Sequence, residues 1–234
     1  MDRIYGLREY VQRSSYKEGI GIPVQYHSEV EIEYHPLAQG EYNINYWFIH
    51  PVTGKKLVLR VNTGSQMHLE NQIEYEYNAL QLLKESGRTP TPIYVDGSLK
   101  YLEYGVMVME FLEGVALDYR RDLVIAAECL ADIHSVQIES DSGLIMPPNP
   151  LQAILDECNE MVQTYYNSDL GDAKKKKQIR HLLEEGQKKV DTIKDYNGYR
   201  CIINTELNSG NFLINGEGKS NYLIDWEKPL YGDP

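Results

Sequence analysis

Three polar side chains interrupt an otherwise apolar hairpin in the last thirty residues or so of the chain: Glu206, Asn211 and Asp225. In "NTELNSGNFLINGEGKSNYLIDWE", Asn211 stands at the mouth of the run Phe212-Leu213-Ile214, and Asp225 closes the run Tyr222-Leu223-Ile224. Glu206 precedes Asn211 with four residues between them. A carboxylate, then x4-Asn, then an Asp at a strand end is the arrangement that phosphoryl transfer asks for. The first carboxylate can orient an attacking hydroxyl and take its proton. The amide oxygen and the second carboxylate are hard donors suited to Mg²⁺. Asn and Gly also build plain turns, and "NGEGKSN" is a turn in any case. The hairpin therefore gains its weight from the rest of the chain.

Phosphate chemistry also needs a cation and something to aim it. Arg60 breaks the apolar pattern of "LVLRV", and the segment that follows carries Glu74 and Glu76, either of which could pair with it. Gly40, in "LAQGEYNINY", lies between two strand-like runs, where a backbone could approach phosphates. Each of these signals is weak alone, and their order along the chain is what carries the argument.

The elements that must hold these residues read as follows. "EVEIEYHPL" alternates, with Val30, Ile32 and Tyr34 on one face, and with "YNINYWFIH" and "KLVLRV" it predicts a three-stranded meander. Leu69, Ile73, Tyr77, Leu80 and Leu83 recur at helical spacing up to Gly87, a C-cap signal. "RTPTPIYVDGS" reads as a loop with a short strand, and "YGVMVMEFLEG" as a buried strand. Three helices follow: "DLVIAAECLADIHSV", "NPLQAILDECNEMVQTYYNS" opened by Asn149-Pro150, and "DAKKKKQIRHLLEEGQKKVDTIKDY". Lysines 174 to 177 read as a solvated helix face, and His134 as a packed imidazole ending an apolar helix.

The bounds agree with a globular chain. It has 234 residues, 42% hydrophobic and 25% charged. A net charge of -12 argues against a nucleic-acid or anionic-membrane surface. Cys129, Cys158 and Cys201 form no CxxC, which points away from a disulfide framework or zinc site and toward a reducing cytoplasm. The N-terminus lacks an apolar h-region and no run of about 18 apolar residues occurs, so neither a signal peptide nor a membrane span is expected. Nineteen tyrosines against three phenylalanines carry no functional reading.

Seven stretches, in order, resemble the aminoglycoside phosphotransferase and choline kinase superfamily: "LAQGEYNINYWF", "KLVLRVNTGSQ", "EYNALQLLKESGRTPTPIY", "VMVMEFLEG", "LADIHS", "NTELNSGNFLI" and "LIDWEKPLYGDP". The family's catalytic loop usually reads His-Gly-Asp-Leu-x-x-x-Asn, and its metal segment Ile-Asp-Trp-Glu followed by Gly-Asp-Pro. The resemblance implies an α+β, protein-kinase-like fold with an N-lobe over residues 1–112 and a mainly helical C-lobe over 113–234. It implies ATP and Mg²⁺ as cofactors and a small-molecule hydroxyl acceptor, such as an aminoglycoside, choline or a sugar. Asn211 and Asp225 would be the metal ligands, and Glu206 would stand where the base belongs. Arg60 would be the phosphate-binding cation, with Glu76 as its best-fitting partner. Gly40 and Asn43 would lie in the nucleotide loop. Glu110, Phe111 and Leu112 would be the hinge that holds adenine.

Three departures shape the expectations. Asn204 replaces the His that supports the catalytic loop, and Glu206 replaces the Asp. The chain also ends at Gly232-Asp233-Pro234, inside a family motif. A C-lobe shortened there would leave apolar side chains of "LVIAAECLADI" or "LQAILDECNEM" uncovered and favour a homo-oligomer. The runner-up reading is a nucleotide-binding member of the same family without turnover.

Overall fold

The computed structural model describes residues 4–139, 141–193 and 196–234. The chain packs into two compact units, Met1–Leu144 with Asn204–Pro229, and Ile145–Ile203 with Leu230–Pro234.

The first unit is built on one antiparallel sheet. Its strands are β1 His35–Gln39, β2 Asn43–Ile49, β3 Lys56–Asn62, β4 Pro92–Asp96 and β5 Gly105–Glu110, in the order β1-β2-β3-β5-β4. β3 and β5 lie inside the sheet, which is why both read as nearly continuous apolar runs. Side chains alternate across them. Tyr46, Phe48, Leu57, Leu59, Val61, Val106 and Val108 fill one face. Two short helices, α1 Leu7–Val11 and α2 Ser14–Gly19, pack into that same core through Leu7, Tyr10, Val11 and Tyr16. The alternate positions on the central strands are Val58, Arg60, Met107 and Met109.

Helix α3, Gln72–Leu83, begins at Asn71, whose side chain accepts the Glu74 amide. It buries Ile73, Glu76, Ala79, Leu80 and Leu83, and its chain turns off at Gly87 with φ +65°. Helix α4, Leu123–His134, and the small hairpin of β7 Phe212–Leu213 and β8 Tyr222–Leu223 complete the unit.

Two expectations change. The alternation of "EVEIEY" is not a strand: β1 begins only at His35, opposite Trp47. Ile32 is buried, and Val30 and Tyr34 pack against the same core, so the pattern records burial. In the register set by His35 and Trp47, residues up to Ile32 would lie opposite positions past Ile49, where β2 has ended and the chain turns at Pro51. The first third of the chain also opens with helices, each too short to show a period.

The tyrosines acquire a structural reason. Tyr16 and Tyr34 share a hydroxyl contact of 2.9 Å, and Tyr10 donates to Asp96 at 2.7 Å while lying 2.9 Å from the Tyr94 hydroxyl. Buried polar tips must be paired, and these pair with one another.

In the second unit, α5 Pro150–Asn167 and α6 Ala173–Val190 pack together, and β6 Cys201–Asn204 pairs with β9 Pro229–Gly232. Asn149 caps α5 through the Leu151 and Gln152 amides, and Asp172 caps α6 through the Lys175 amide. Leu151, Ile154, Cys158 and Met161, spaced along one face of α5, are exposed. Among the described residues, no helix is long and apolar enough to cross a membrane.

Candidate active site

The sheet places Arg60 in the middle of β3, opposite Asn45 of β2 and Met107 of β5. Its guanidinium is buried and every arm is engaged. Nε donates to Asn45 Oδ1 at 3.1 Å, and one terminal nitrogen donates to Glu76 Oε1 at 2.5 Å. Both terminal nitrogens lie 3.4 Å from Asp225 Oδ1, and Glu227 Oε1 is 3.8 Å away. Burial works against the charge of Arg60, but Glu76 and Asp225 outweigh it and hold its pKa above the ordinary value. Burial pushes Glu76 up, with Arg60 opposing. Of the two carboxylates open to pairing in the sequence, it is Glu76 that meets Arg60.

Asp225 follows β8 with φ +65°, one of three left-handed non-glycine residues among those described. Asp and Asn tolerate this region better than other side chains, and such backbone outliers gather at functional sites. Its neighbour Trp226 is fully buried and donates Nε1–H to the Leu223 carbonyl at 3.0 Å, which anchors the turn.

A chain of hydrogen bonds links the other hairpin residues to the Asp225 turn. The Ile224 amide donates to the Asn211 carbonyl at 2.8 Å. Asn211 Nδ2 donates to the Glu206 carbonyl at 3.0 Å, so the carbonyl oxygen of its amide is the end suited to a cation. Asn204 Nδ2 donates to the Asp225 carbonyl at 2.9 Å, while its Oδ1 accepts the Glu206 amide at 2.9 Å. Asn204 thus makes the loop-supporting bonds that were expected of a His. His134 ends α4, and burial lowers its pKa.

A cavity of about 470 Å³ opens beside Arg60, Glu76 and Asp225. Val58, Met109, Leu213 and Ile224 give it apolar walls, and Glu110, Phe111 and Leu112 form one edge. The Phe111 amide continues the β3–β5 ladder by donating to the Lys56 carbonyl at 3.3 Å. The cavity thus has apolar walls between the Arg60 cluster and residues 110–112, and Lys56 and Glu113 line it beside those residues.

Gly40 donates its amide to the Asn43 carbonyl at 2.9 Å, closing a tight loop before β2. Its φ is unexceptional and a Cβ there would meet only that carbonyl at 3.9 Å, so the fold itself does not demand a glycine. Asn43 is buried and donates Nδ2 to Glu227 Oε1. Glu227 and Asn45 were not singled out in the sequence. The signals available were a second acid two residues after Asp225 and an Asn opposite the strand Arg. Burial, then the nearby Asp225, push the Glu227 carboxyl up to about 7.

A family model described as the phosphotransferase enzyme family matches residues 33–234. The chain belongs to this family. No curated protein matches it. Among solved structures, it is similar to spectinomycin phosphotransferase in complex with ADP and spectinomycin, with a TM-score of 0.60, 16% identity, and coverage of 86% of this chain and 64% of that one. It is also similar to an ethanolamine kinase of Plasmodium vivax, with a TM-score of 0.62, 15% identity, and coverage of 96% and 63%. A choline kinase of Cryptosporidium parvum Iowa II gives 0.66, 14%, and coverage of 96% and 66%. The chain thus spans less than two thirds of the length of these structures. At such identities the likeness carries the fold, an α+β protein-kinase-like one, as the resemblance implied.

The donor set fits Mg²⁺. Asp225 and the Asn211 amide supply hard oxygen on adjacent segments, and a metal held by one or two protein groups plus phosphate oxygens is the usual arrangement for this ion. Among the described residues, no group of three or more His, Cys, Asp and Glu side chains has the geometry of an all-protein metal site.

Proposed function

We propose that this chain carries the nucleotide and catalytic groups of an ATP-dependent phosphotransferase whose acceptor is a hydroxyl of a small molecule. The observation that carries the reading is the meeting of Arg60, Glu76 and Asp225 beside a cavity with apolar walls edged by residues 110–112. Residues 1–112 would act as the nucleotide lobe and 113–234 as the catalytic lobe. The hinge backbone would hold adenine, the Gly40–Asn43 loop would lie over the phosphates, and Arg60 would bind phosphate oxygens. Asp225 and Asn211 would hold Mg²⁺, whose charge would screen the triphosphate. Glu206 would accept the proton of the acceptor hydroxyl. Choline-, ethanolamine-, sugar- and aminoglycoside-like alcohols are the acceptors to try, and the free cysteines suit a cytoplasmic setting.

A second reading is supported by one residue. Glu206 is longer by a methylene than the Asp expected there, which favours a member that binds nucleotide with little or no turnover.

Titrating ATP with and without Mg²⁺ tests the core of the proposal. Asp225→Asn keeps a side chain that tolerates the left-handed backbone, so it should fold. It should lose most of the Mg²⁺ enhancement of ATP affinity and keep affinity for metal-free nucleotide. Equal metal dependence in the two proteins refutes the metal assignment. Phosphate transfer to an acceptor panel then separates the two readings.

A further inference from the structure

Glu227 lies two residues beyond Asp225, and its side chain is only 15% exposed. A carboxylate so little exposed is costly without partners, and this residue joins three separate segments. Its Oε1 accepts from Asn43 at the start of β2, and the same oxygen lies 3.8 Å from the Arg60 guanidinium on β3. Its backbone carbonyl accepts from Gln72 Nε2 on α3 at 2.7 Å. The tie extends outward on both sides. Gln72 Oε1 accepts from Ser65 Oγ at 2.6 Å. Asn43 Oδ1 accepts from Asn62 Nδ2 at 3.1 Å, and Asn62 Nδ2 also donates to the Gly64 carbonyl at 2.7 Å.

The geometry has a mechanical meaning. Asn43 is the residue whose carbonyl closes the loop on the Gly40 amide. Its side chain ends on Glu227, and Glu227 is joined by two peptide bonds to Asp225. The loop and the Asp225 turn are otherwise far apart in sequence. A packed apolar residue at 227 would fill the space but leave the Asn43 amide without its charged acceptor.

We propose that Glu227 is a positioning residue that fastens the Gly40–Asn43 loop to the Asp225 turn, so that the groups at the phosphate end of the site are held in one register. This rests on the nucleotide reading above only in what the loop covers, since the tie itself belongs to the free protein. Asn43 is its other half. Glu227→Gln retains an acceptor oxygen for Asn43, whereas Glu227→Ala does not.

Hydrogen exchange on the nucleotide-free protein tests the tie directly. Glu227→Ala and Asn43→Ala should each speed exchange at the Gly40 amide by about ten-fold, the change expected from losing one hydrogen bond. The double variant should be no faster than either single one, and Glu227→Gln should remain near wild type. Amides of β5, residues 106–109, should stay protected in all four. Binding is the second readout: the alanine variants should weaken ATP by a similar factor and leave adenosine affinity unchanged. Additive effects at Gly40, or Glu227→Gln behaving like Glu227→Ala, would overturn the proposal. Loss of β5 protection in the alanine variants would do the same, by showing that Glu227 serves the fold as a whole. If exchange behaves as expected but wild type binds neither ATP nor adenosine, the tie stands and the nucleotide reading falls.

Discussion

Asn204 joins two segments of the hairpin: its Nδ2 donates to the Asp225 carbonyl and its Oδ1 accepts the Glu206 amide, both at 2.9 Å. One neutral side chain thus sets the distance between the candidate base and the candidate metal ligand. Asn204→Ala leaves two backbone groups unpaired in a mostly buried place, at a cost of about 1–3 kcal/mol. A lowered urea midpoint is the expected result. Asn204→His, which can donate from one ring nitrogen and accept at the other, should recover part of the loss. A midpoint unchanged by Asn204→Ala would show that the loop is held by other means.

Arg60 and Glu76 form the closest ion pair at the site, at 2.5 Å, and both are buried. Removing one partner leaves an uncompensated charge, typically costing about 3–5 kcal/mol. Arg60→Ala and Glu76→Ala should therefore each weaken ATP binding, and the double variant should be far less impaired than their sum. A double-mutant cycle by calorimetry decides it. Additive losses would mean that Glu76 does not aim Arg60.

Glu227 gives a pH signature. An unfolded Glu titrates near about 4.3, while the folded carboxyl is pushed up to about 7. Between those values the folded state binds more protons than the unfolded one, so this group lowers stability as pH rises and does so fully above about 7. Glu227→Gln removes the ionisation. Its stability relative to wild type should rise from pH 5 to pH 8 by about 1–3 kcal/mol. Parallel pH profiles of the two proteins, measured by denaturant unfolding, would contradict the assignment.

The extra methylene of Glu206 reaches about 1 Å further than Asp would, and a misplacement of that size can cost about 10²-fold in rate. If the acceptor site has the family's spacing, Glu206→Asp should raise single-turnover transfer at saturating ATP and leave ATP affinity alone. A fall in rate would instead mark Glu206 as a base whose acceptor site has moved to meet it.

The exposed stripe of Leu151, Ile154, Cys158 and Met161 on α5 should drive self-association. Sedimentation at rising concentration should show a growing larger species, and Met161→Lys should return it to monomer. A wild-type monomer throughout would count against this surface.

Much of the candidate site is legible because its residues break a pattern. Arg60 interrupts an apolar strand, and Asn211 and Asp225 sit at the ends of short apolar runs. Those interruptions are local, so a linear reading finds them. Glu227 and Asn45 are not legible for the opposite reason. Their partners are Asn43 and Arg60, brought close only by the sheet and the hairpin. The strand expected over "EVEIEY" fails because periodicity records which side chains face a core and not whether a neighbour offers a ladder. Helices α1 and α2 have five and six residues, too few to show a period of 3.6.

The alternation of β3 has a consequence for how the chain reaches its native state. Leu59 and Val61 face the apolar core and Arg60 faces the cavity. A slip of one residue against β2 or β5 would turn the guanidinium into that core and Leu59 toward Glu76 and Asp225. A lone buried cation is among the costliest errors a fold can make. Arg60 therefore opposes mispairing during assembly, because a sheet paired one residue out of register would bury its charge without partners.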